Sequence, residues 1–390
     1  MDNFVFNLPT KILFGRGMES GVGAEAAVYS RKVLLHFGGA SAERSGLLER
    51  VRASLEAAGV QWVELGGVKP NPALSLVRRG VALCRAEDVG LILAVGGGSV
   101  IDSAKAIAAG FAYQGDVWDF FTGAAPAPDA ALPVGVVLTI PAAGSESSCG
   151  SVITNEEGQL KRALNADCLY PRFAVLNPEL AFTLPDSQVA NGAADIMAHL
   201  MERYFTNVPH VELSDRLIEA TLRTVIAVAP RVLADKSDYD AWAELMWAGA
   251  LAHNNLLDRG RMGDWASHDI EHELSGIYDI AHGAGLAAIF PAWMKYNLRH
   301  DLARFVQFAV RVWGVEPDAF NPERVALEGI ARLEAFWKSL GLATRLSGLG
   351  IGLERAAEMA RKCTAGDTRT VGWFVPLKAA DIEEIYELAK

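Results

Sequence analysis

Short apolar runs alternate with amphipathic stretches from about residue 30 to residue 145. The apolar runs have the length of buried strands, and they are KVLLHF (32–37), QWVEL (61–65), VGLILAVGGG (89–98) and PVGVVLTIP (133–141). The stretches between them have the apolar spacing of helices and lie around residues 47–58, 73–86 and 99–109. This alternation is typical of βαβ units, and it predicts an α/β domain built on a parallel sheet.

The pattern changes after LPDSQVA (184–190), where long helical periodicity begins and continues to the C-terminus. The preceding residues 151–176 are mixed, with SVIT and FAVL as candidates for short strands. We therefore predict two domains. An α/β domain of residues 1–185 contains the parallel sheet, and an all-α domain of residues 186–390 follows it.

Composition and charge narrow the classes of function. The chain of 390 residues is 51% hydrophobic, as globular proteins are, and its net charge of −11 repels nucleic acids and anionic membranes. No run of 18 apolar residues is present, and the four cysteines form no CxxC pair that would indicate a disulfide framework or a thiolate metal site. We expect a cytoplasmic protein that binds a small molecule, with neither nucleic acid nor membrane as a partner.

Two glycine turns each follow a predicted strand. The segment AVGGGSVIDSAKAIA (94–108) places three glycines between a strand and a helix, and HFGGAS (36–41) ends an earlier strand. Glycine lets the backbone approach a ligand closely, and a helix N-terminus attracts phosphate. The alternative is a capping box of Ser99 and Asp102, which is compatible with phosphate binding. Neither turn is a GxGxxG fingerprint, but both fall at the carboxyl edge of a parallel sheet, which predicts a bound dinucleotide.

A helical segment offers a first pair of metal-binding side chains. NGAADIMAHLMERYF (191–205) places Asp195 and His199 at i and i+4, on one face of a helix. For an isolated pair, a core histidine bonded to an aspartate is the simpler interpretation. The pair is not isolated, because three more histidines lie close together further along the chain.

Those histidines lie in SHDIEHELSGIYDIAHG (267–283), where His268 and His272 repeat the i, i+4 spacing and His282 comes 14 residues after His268. A straight helix of that length spans about 21 Å, so His268 and His282 share a metal only if the helix breaks. Glycines that permit a break are Gly276, Gly283 and Gly285. The spacing does not choose between His268 and His272. One aspartate with two or three histidines suits Fe(II) or Zn(II).

These motifs, in this order and spacing, resemble the iron-containing alcohol dehydrogenases, particularly the butanol dehydrogenase and aldehyde reductase branch. The resemblance covers essentially the whole chain. Its matching segments are FVFNLPTKILFGRG (4–17), PNP (70–72), GGGSVIDSAKAIA (96–108), TIPAAGSESS (139–148), NGAADIMAHLMERYF and SHDIEHELSGIYDIAHGAGLA.

The resemblance implies a role for each matching residue. The implied metal ligands are Asp195, His199, His268 and His282. His272 is left off the metal, near the substrate, as a proton relay. The implied cofactor residues run from the adenosine end to the nicotinamide and are Gly38, Gly39, Ser41, Asn71, Gly97, Gly98, Ser99, Asp102, Thr139 and Lys161, with Arg162 as an alternative to Lys161.

The first glycine turn also bears on the choice of cofactor. Family members that prefer NAD tend to carry an acid there, and GGAS has none, so the resemblance favours NADP(H) and permits NAD(H). Two departures weaken the match. Glu43 stands where many relatives have basic residues, and Ala143 stands where relatives usually carry a cofactor-binding threonine.

The expected function is metal-assisted hydride transfer between a nicotinamide and a primary alcohol or aldehyde, such as butanol or butanal. One alternative is a glycerol dehydrogenase-like polyol oxidoreductase. Another is a catalytically idle nucleotide-binding regulator. Homodimers are common in the family, and we expect one here.

Overall fold

The computed structural model describes residues 1–39 and 41–390. Its internal contacts divide the chain into one unit of residues 7–183 and a second unit of residues 184–390 with residues 1–6. The break falls two residues before the predicted boundary at residue 185. Residues 1–6 belong with the helical unit because Asp2 N–H donates to Gly260 O (3.0 Å) and Arg259 Nη1 donates to Val5 O (2.9 Å).

In the described part of residues 7–183, six strands form a parallel sheet and two more form an antiparallel hairpin. The strands are β1 (Lys11–Phe14), β2 (Lys32–Phe37), β3 (Gln61–Leu65), β4 (Leu91–Gly96), β5 (Val134–Leu138), β6 (Gly150–Asn155), β7 (Leu160–Asn165) and β8 (Phe173–Leu176). The helices are α1 (Val22–Ala27), α2 (Ser41–Arg44), α3 (Leu47–Ala57), α4 (Leu74–Ala86), α5 (Gly98–Ala112) and α6 (Trp118–Thr122). The central strands β4 and β5 are buried along their whole length, as continuous apolar runs in a covered parallel sheet should be.

The sheet has the order β1-β8-β5-β4-β2-β3, with every neighbouring pair parallel. From β2 the chain moves outward to β3, and it then returns to pair β4 on the other side of β2. The direction of winding therefore reverses between β2 and β4, which is the point where open α/β sheets bind ligands. Both glycine turns follow these two strands.

The second unit is built from helices, and a buried helix begins it. The helices are α7 (Asp186–Tyr204), α8 (Glu212–Ala234), α9 (Tyr239–His253), α10 (Ala266–Tyr278), α11 (His282–Asn297), α12 (Leu302–Trp313), α13 (Pro322–Ser339), α14 (Ala356–Cys363) and α15 (Ala379–Leu388). Nearly every residue of α7 from Val189 onward is buried, so its polar side chains lie inside the unit. Among the described residues, none of the helices has the length and apolarity that a membrane crossing needs.

The helix break that the histidine spacing required is present, but it does not lie at a glycine, and the alternative interpretation of a capping box at Ser99 is not borne out. Gly276 lies inside α10, and the helix instead ends at Tyr278, where Asp279 takes the left-handed conformation (φ 52°) before α11 begins at His282. Aspartate tolerates this conformation better than most residues do. The capping box is also absent: α5 begins at Gly98 after an N-cap of Gly97, and no described side chain caps it.

Candidate metal site and cofactor turns

Three helices of the second unit bring the predicted metal ligands together. Helix α7 supplies Asp195 and His199, α10 supplies His268, and α11 supplies His282 as its first residue. Asp195 Oδ1 lies 3.3 Å from His199 Nδ1, 4.0 Å from His268 Nε2 and 3.8 Å from His282 Nε2. Ligand atoms of Asp195, His268 and His282 all lie within 4.8 Å of one another. His199 adjoins this group through its approach to Asp195.

The donor set fits a divalent metal. Two ligand atoms at about 2.1 Å from a tetrahedral ion are about 3.4 Å apart, close to the spacings around Asp195. His199 is 5% exposed, and its Nδ1 makes no hydrogen bond to any described residue. Burial, and then the neighbouring His253 and His268, lower the pKa of His199 well below its ordinary value. Its imidazole is therefore neutral at pH 7, which is the form that binds a metal.

A buried carboxylate, Glu202, lies beside His268. It sits 2.8 Å from His268 Nδ1, and it accepts the backbone N–H groups of His268 (3.1 Å) and Trp265 (2.6 Å). Burial raises the pKa of Glu202 to about 8, and the two backbone hydrogen bonds oppose that shift. Glu202 is fully buried, so these contacts replace water.

A second buried carboxylate, Glu271, lies beside His282. It contacts His282 Nδ1 and accepts the hydroxyl of Ser275. Sequence reasoning missed both glutamates. The sequence pattern that could have identified them is H-x-x-E, which occurs twice, as HLME (199–202) and HDIE (268–271).

His272, predicted to be a proton relay, is buried on α10 with its ring centroid 5.5 Å from that of His282. Glu271, His272 and His282 form a second group with ligand atoms within 4.8 Å of one another. Glu271 is already paired with His282 Nδ1, which leaves His282 Nε2 facing Asp195. The geometry therefore favours the Asp195 group as the metal site, and the role of His272 stays a prediction.

The cofactor turns lie in the first unit, at the carboxyl ends of adjacent strands. Gly38 and Gly39 follow β2, Gly97 and Gly98 follow β4, and Thr139 follows β5. Ala40, inside the first turn, lies outside the described residues, and Ser41 begins α2.

The second turn is packed against the loop that leaves β5. A Cβ added at Gly97 would lie 2.9 Å from the Cβ of Ile140, and one at Gly98 would lie 3.1 Å from the Cβ of Ala143. A side chain at Gly97 would therefore clash with Ile140 and one at Gly98 would crowd Ala143, so close packing favours glycine here as well as any phosphate. Ser99 follows in the first turn of α5, where the backbone N–H groups and the helix dipole favour an anion.

Asp102, the next predicted cofactor residue, makes hydrogen bonds inside the unit. Its Oδ1 accepts the Ser145 hydroxyl (2.6 Å) and its Oδ2 accepts the Val152 N–H (3.0 Å). Burial raises its pKa. Asp102 therefore has a structural role, because it connects α5 to the β5–β6 loop and to the hairpin.

Lys105, one turn later, is a residue that sequence reasoning missed. It is fully buried, and its Nζ donates to the carbonyls of Ser145 (2.6 Å), Ser148 (2.8 Å) and Gly150 (2.8 Å). Burial lowers its pKa to about 8. Lys105 thus holds the loop that begins with Thr139.

The remaining predicted cofactor residues, Asn71 and Lys161, are linked through Thr154. Thr154 N–H donates to Pro72 O (2.9 Å), and Thr154 pairs with Lys161 across the hairpin. Asn71 takes the left-handed conformation (φ 54°) just before this contact. Lys161 is 5% exposed, whereas its neighbour Arg162 is half-buried, as residues on opposite faces of a strand can be.

Two family models match the chain. The model described as iron-containing alcohol dehydrogenase matches residues 9–178, and the C-terminal model of the Fe-containing alcohol dehydrogenase family matches residues 189–390. The chain belongs to the iron-containing alcohol dehydrogenase family. The family resemblance and the fold class predicted from the sequence are confirmed.

Named relatives cover nearly the whole chain. It is 44% identical to a probable NADH-dependent butanol dehydrogenase of Bacillus subtilis over 99% of both chains. It is 37% identical to the NADPH-dependent aldehyde reductase YqhD of Escherichia coli over 90% of both. The crystal structure of NADH-dependent butanol dehydrogenase A from Thermotoga maritima superposes with a TM-score of 0.95 at 41% identity, covering 100% of this chain and 99% of the other.

This iron-containing alcohol dehydrogenase family member is therefore an oxidoreductase that interconverts alcohols and aldehydes. It uses a nicotinamide cofactor and a metal.

Proposed function

We propose that Asp195, His199, His268 and His282 hold one divalent metal, and that the substrate is a primary alcohol or its aldehyde, such as butanol or butanal. The observation that carries the proposal is the meeting of three helices at Asp195 Oδ1, which has a histidine nitrogen from each of them within 4.0 Å. The names of the relatives support the substrate class. Fe(II) is the first choice of metal because of the family, and Zn(II) is the second because the donor set suits both.

The bound metal supplies a Lewis acid to the substrate oxygen, and the nicotinamide supplies or takes the hydride. The chain's own residues hold these groups and handle the proton. Asp195 contributes negative charge, and the neutral imidazole of His199 contributes a lone pair. His272 holds the hydroxyl proton at an imidazole nitrogen, because an imidazole exchanges protons near neutral pH. The backbone N–H groups after Gly97 receive the pyrophosphate.

For the nicotinamide, we propose NAD(H) as the preferred cofactor and NADP(H) as the weaker one, the reverse of the sequence-based expectation. Two glutamates near the first turn share a single guanidinium: Arg52 binds Glu64 at 2.8 Å and Glu43 at 3.4 Å. Glu64 lies in β3, the strand that pairs with β2, and Glu43 lies in α2, directly after the first glycine turn. This excess of negative charge disfavours a 2′-phosphate, and relatives at 39–44% identity are named NADH-dependent.

Replacing His282 tests the metal site. We expect His282→Ala to lose the bound metal and turnover together, because it removes one nitrogen from the group around Asp195. Metal per chain is measured by mass spectrometry, and turnover by the absorbance of the reduced nicotinamide. The matched control is His210→Ala, an exposed histidine of the same unit, which should keep both. A His282→Ala protein that retains a stoichiometric metal would contradict the assignment.

A screen over aldehydes of increasing chain length tests the substrate and cofactor. Oxidation of NADH and NADPH is followed on protein reconstituted separately with Fe(II) and with Zn(II). We expect the highest kcat/KM for NADH with a linear aldehyde near butanal. A higher kcat/KM with NADPH than with NADH would contradict the proposed NAD(H) preference and support the sequence-based expectation of NADP(H).

We further propose a cytoplasmic homodimer. The four cysteines, all of them in the described residues, are free thiols, as a reducing compartment keeps them. Light scattering on the eluate of a sizing column should give twice the chain mass of 41.8 kDa.

A further inference from the structure

Two buried glutamates lie between the helices that carry the metal ligands. Glu202 on α7 contacts Nδ1 of His268 on α10, and Glu271 on α10 contacts Nδ1 of His282 on α11. A carboxylate of α7 thus holds a histidine of α10, and a carboxylate of α10 holds a histidine of α11. The pattern is the H-x-x-E pair, in which a histidine at the metal site is followed three residues later by the glutamate that contacts the next histidine.

The surroundings of Glu202 indicate which nitrogen of His268 carries the proton. Backbone N–H groups of Trp265 and His268 donate to its two oxygens, so the carboxylate is used as an acceptor at both. The oxygen that lies 2.8 Å from His268 Nδ1 is Oε1, the same atom that accepts the backbone N–H of His268. Because Oε1 is a hydrogen-bond acceptor, the ring nitrogen facing it is the donor, and the imidazole proton lies on Nδ1. The other nitrogen, Nε2, then presents its lone pair, and it is the atom 4.0 Å from Asp195 Oδ1.

Glu271 holds His282 in the same way. Its Oε1 accepts the Ser275 hydroxyl and its Oε2 faces His282 Nδ1. Gly285, one turn into α11, makes room for it, because a Cβ there would lie 2.6 Å from Glu271 Oε1. His282 Nε2 is consequently the atom that faces Asp195, at 3.8 Å.

We propose that Glu202 and Glu271 are positioning residues that fix His268 and His282 as Nδ1–H tautomers and so join α7, α10 and α11 into one preformed metal site. The inference rests on the metal site proposed above. It adds that the site's affinity depends on two residues that do not touch the metal. A carboxylate behind a metal-binding histidine orients the ring and raises its basicity, and its loss typically costs about 10–100-fold in metal affinity.

Glutamine substitutions test this with little change of shape. An amide accepts through its oxygen and donates through its nitrogen, so Glu202→Gln and Glu271→Gln no longer specify one tautomer. We expect each variant to bind Zn(II) about 10–100-fold more weakly than the wild type, measured by competition with a chromophoric chelator. The matched control is Glu219→Gln, a buried carboxylate of the same unit that binds Tyr204 and Arg311 instead of a histidine. Its Zn(II) affinity should stay within twofold of wild type.

A measurement on the wild type keeps the inference testable if the variants fail to fold. Nitrogen-15 NMR of metal-free protein labelled in histidine reports which ring nitrogen carries the proton. We expect His268 and His282 as Nδ1–H tautomers, assigned by the loss of their signals in His268→Ala and His282→Ala. Finding either as the Nε2–H tautomer overturns the inference.

The outcomes separate this inference from the proposed site. If wild-type protein binds no Zn(II), the metal site itself is wrong. If wild type binds Zn(II) and both glutamine variants bind it within twofold of wild type, the site stands and the positioning role is wrong.

Discussion

Gly283 lets α11 approach α7 at the point where His282 meets Asp195. A Cβ added at Gly283 would lie 2.1 Å from the carbonyl oxygen of Asn191 and 2.8 Å from its Cα. Asn191 precedes Asp195 by one helical turn on α7. The contact is with backbone, so no side-chain rotation relieves it.

Replacing Gly283 with alanine should therefore move His282 away from Asp195. Restoring an ordinary contact of 3.4 Å from the clash at 2.1 Å requires a shift of about 1.3 Å. Metal sites tolerate deviations of about 0.2 Å in ligand distance, so the shift removes His282 from the site. Overpacking of this kind also costs about 1–3 kcal/mol of folding stability.

The assay measures the two effects separately. Zn(II) affinity is measured by chelator competition at a temperature where the variant is folded, and stability by urea unfolding of metal-free protein. The matched control is Gly21→Ala, since within the described residues an added Cβ at Gly21 meets nothing within 4 Å. If Gly283→Ala binds Zn(II) within twofold of wild type, the contact between α11 and α7 does not position His282.

Three further predictions concern residues at or near the two sites. His272→Ala should retain metal but lower kcat by about 100-fold and remove one limb of the pH–rate profile, as loss of a proton relay does; an unchanged profile would exclude that role. Lys105→Met should raise the KM for the nicotinamide about tenfold with a smaller change in kcat, because it removes the ammonium that three loop carbonyls share; equal cofactor affinity by fluorescence titration would refute it. Burial lowers the pKa of His36 to about 4, below its unfolded value of 6.5, so the unfolded chain binds the proton first. The stability present above pH 6.5 is then lost as the pH falls toward 4, by about 1.4 kcal/mol per pH unit. The free energy of unfolding, measured with urea, should fall between pH 7.0 and pH 5.5 by about 1 kcal/mol less in His36→Gln than in wild type. An equal fall in both proteins would contradict the lowered pKa of His36.

The alternation of apolar runs and helical stretches predicted the parallel sheet because buried strands and amphipathic helices differ in period. It also placed the two glycine turns at the ends of strands. In the structure these strands are β2 and β4, which are neighbours in the sheet. Strand order was not predictable, since pairing is decided by contacts far apart in sequence. The two H-x-x-E glutamates were missed for a similar reason, because each contacts a histidine on another helix.

The break between His268 and His282 shows a limit of local sequence signals. The spacing required a break, and the glycines of the segment were the natural candidates for its position. The chain instead turns at Asp279, while Gly283 and Gly285 serve close packing against Asn191 and Glu271. A glycine can serve either of two needs, a left-handed turn or a close approach of two backbones, and the sequence alone does not show which one applies.

The central claim is that the site around Asp195 holds the metal on which turnover depends. The most direct measurement is butanal reduction by metal-stripped protein before and after addition of one equivalent of Fe(II) or Zn(II) per chain. We predict that the stripped protein is inactive and that one equivalent restores turnover in wild type but not in His282→Ala. Full activity in the stripped wild type would contradict the account.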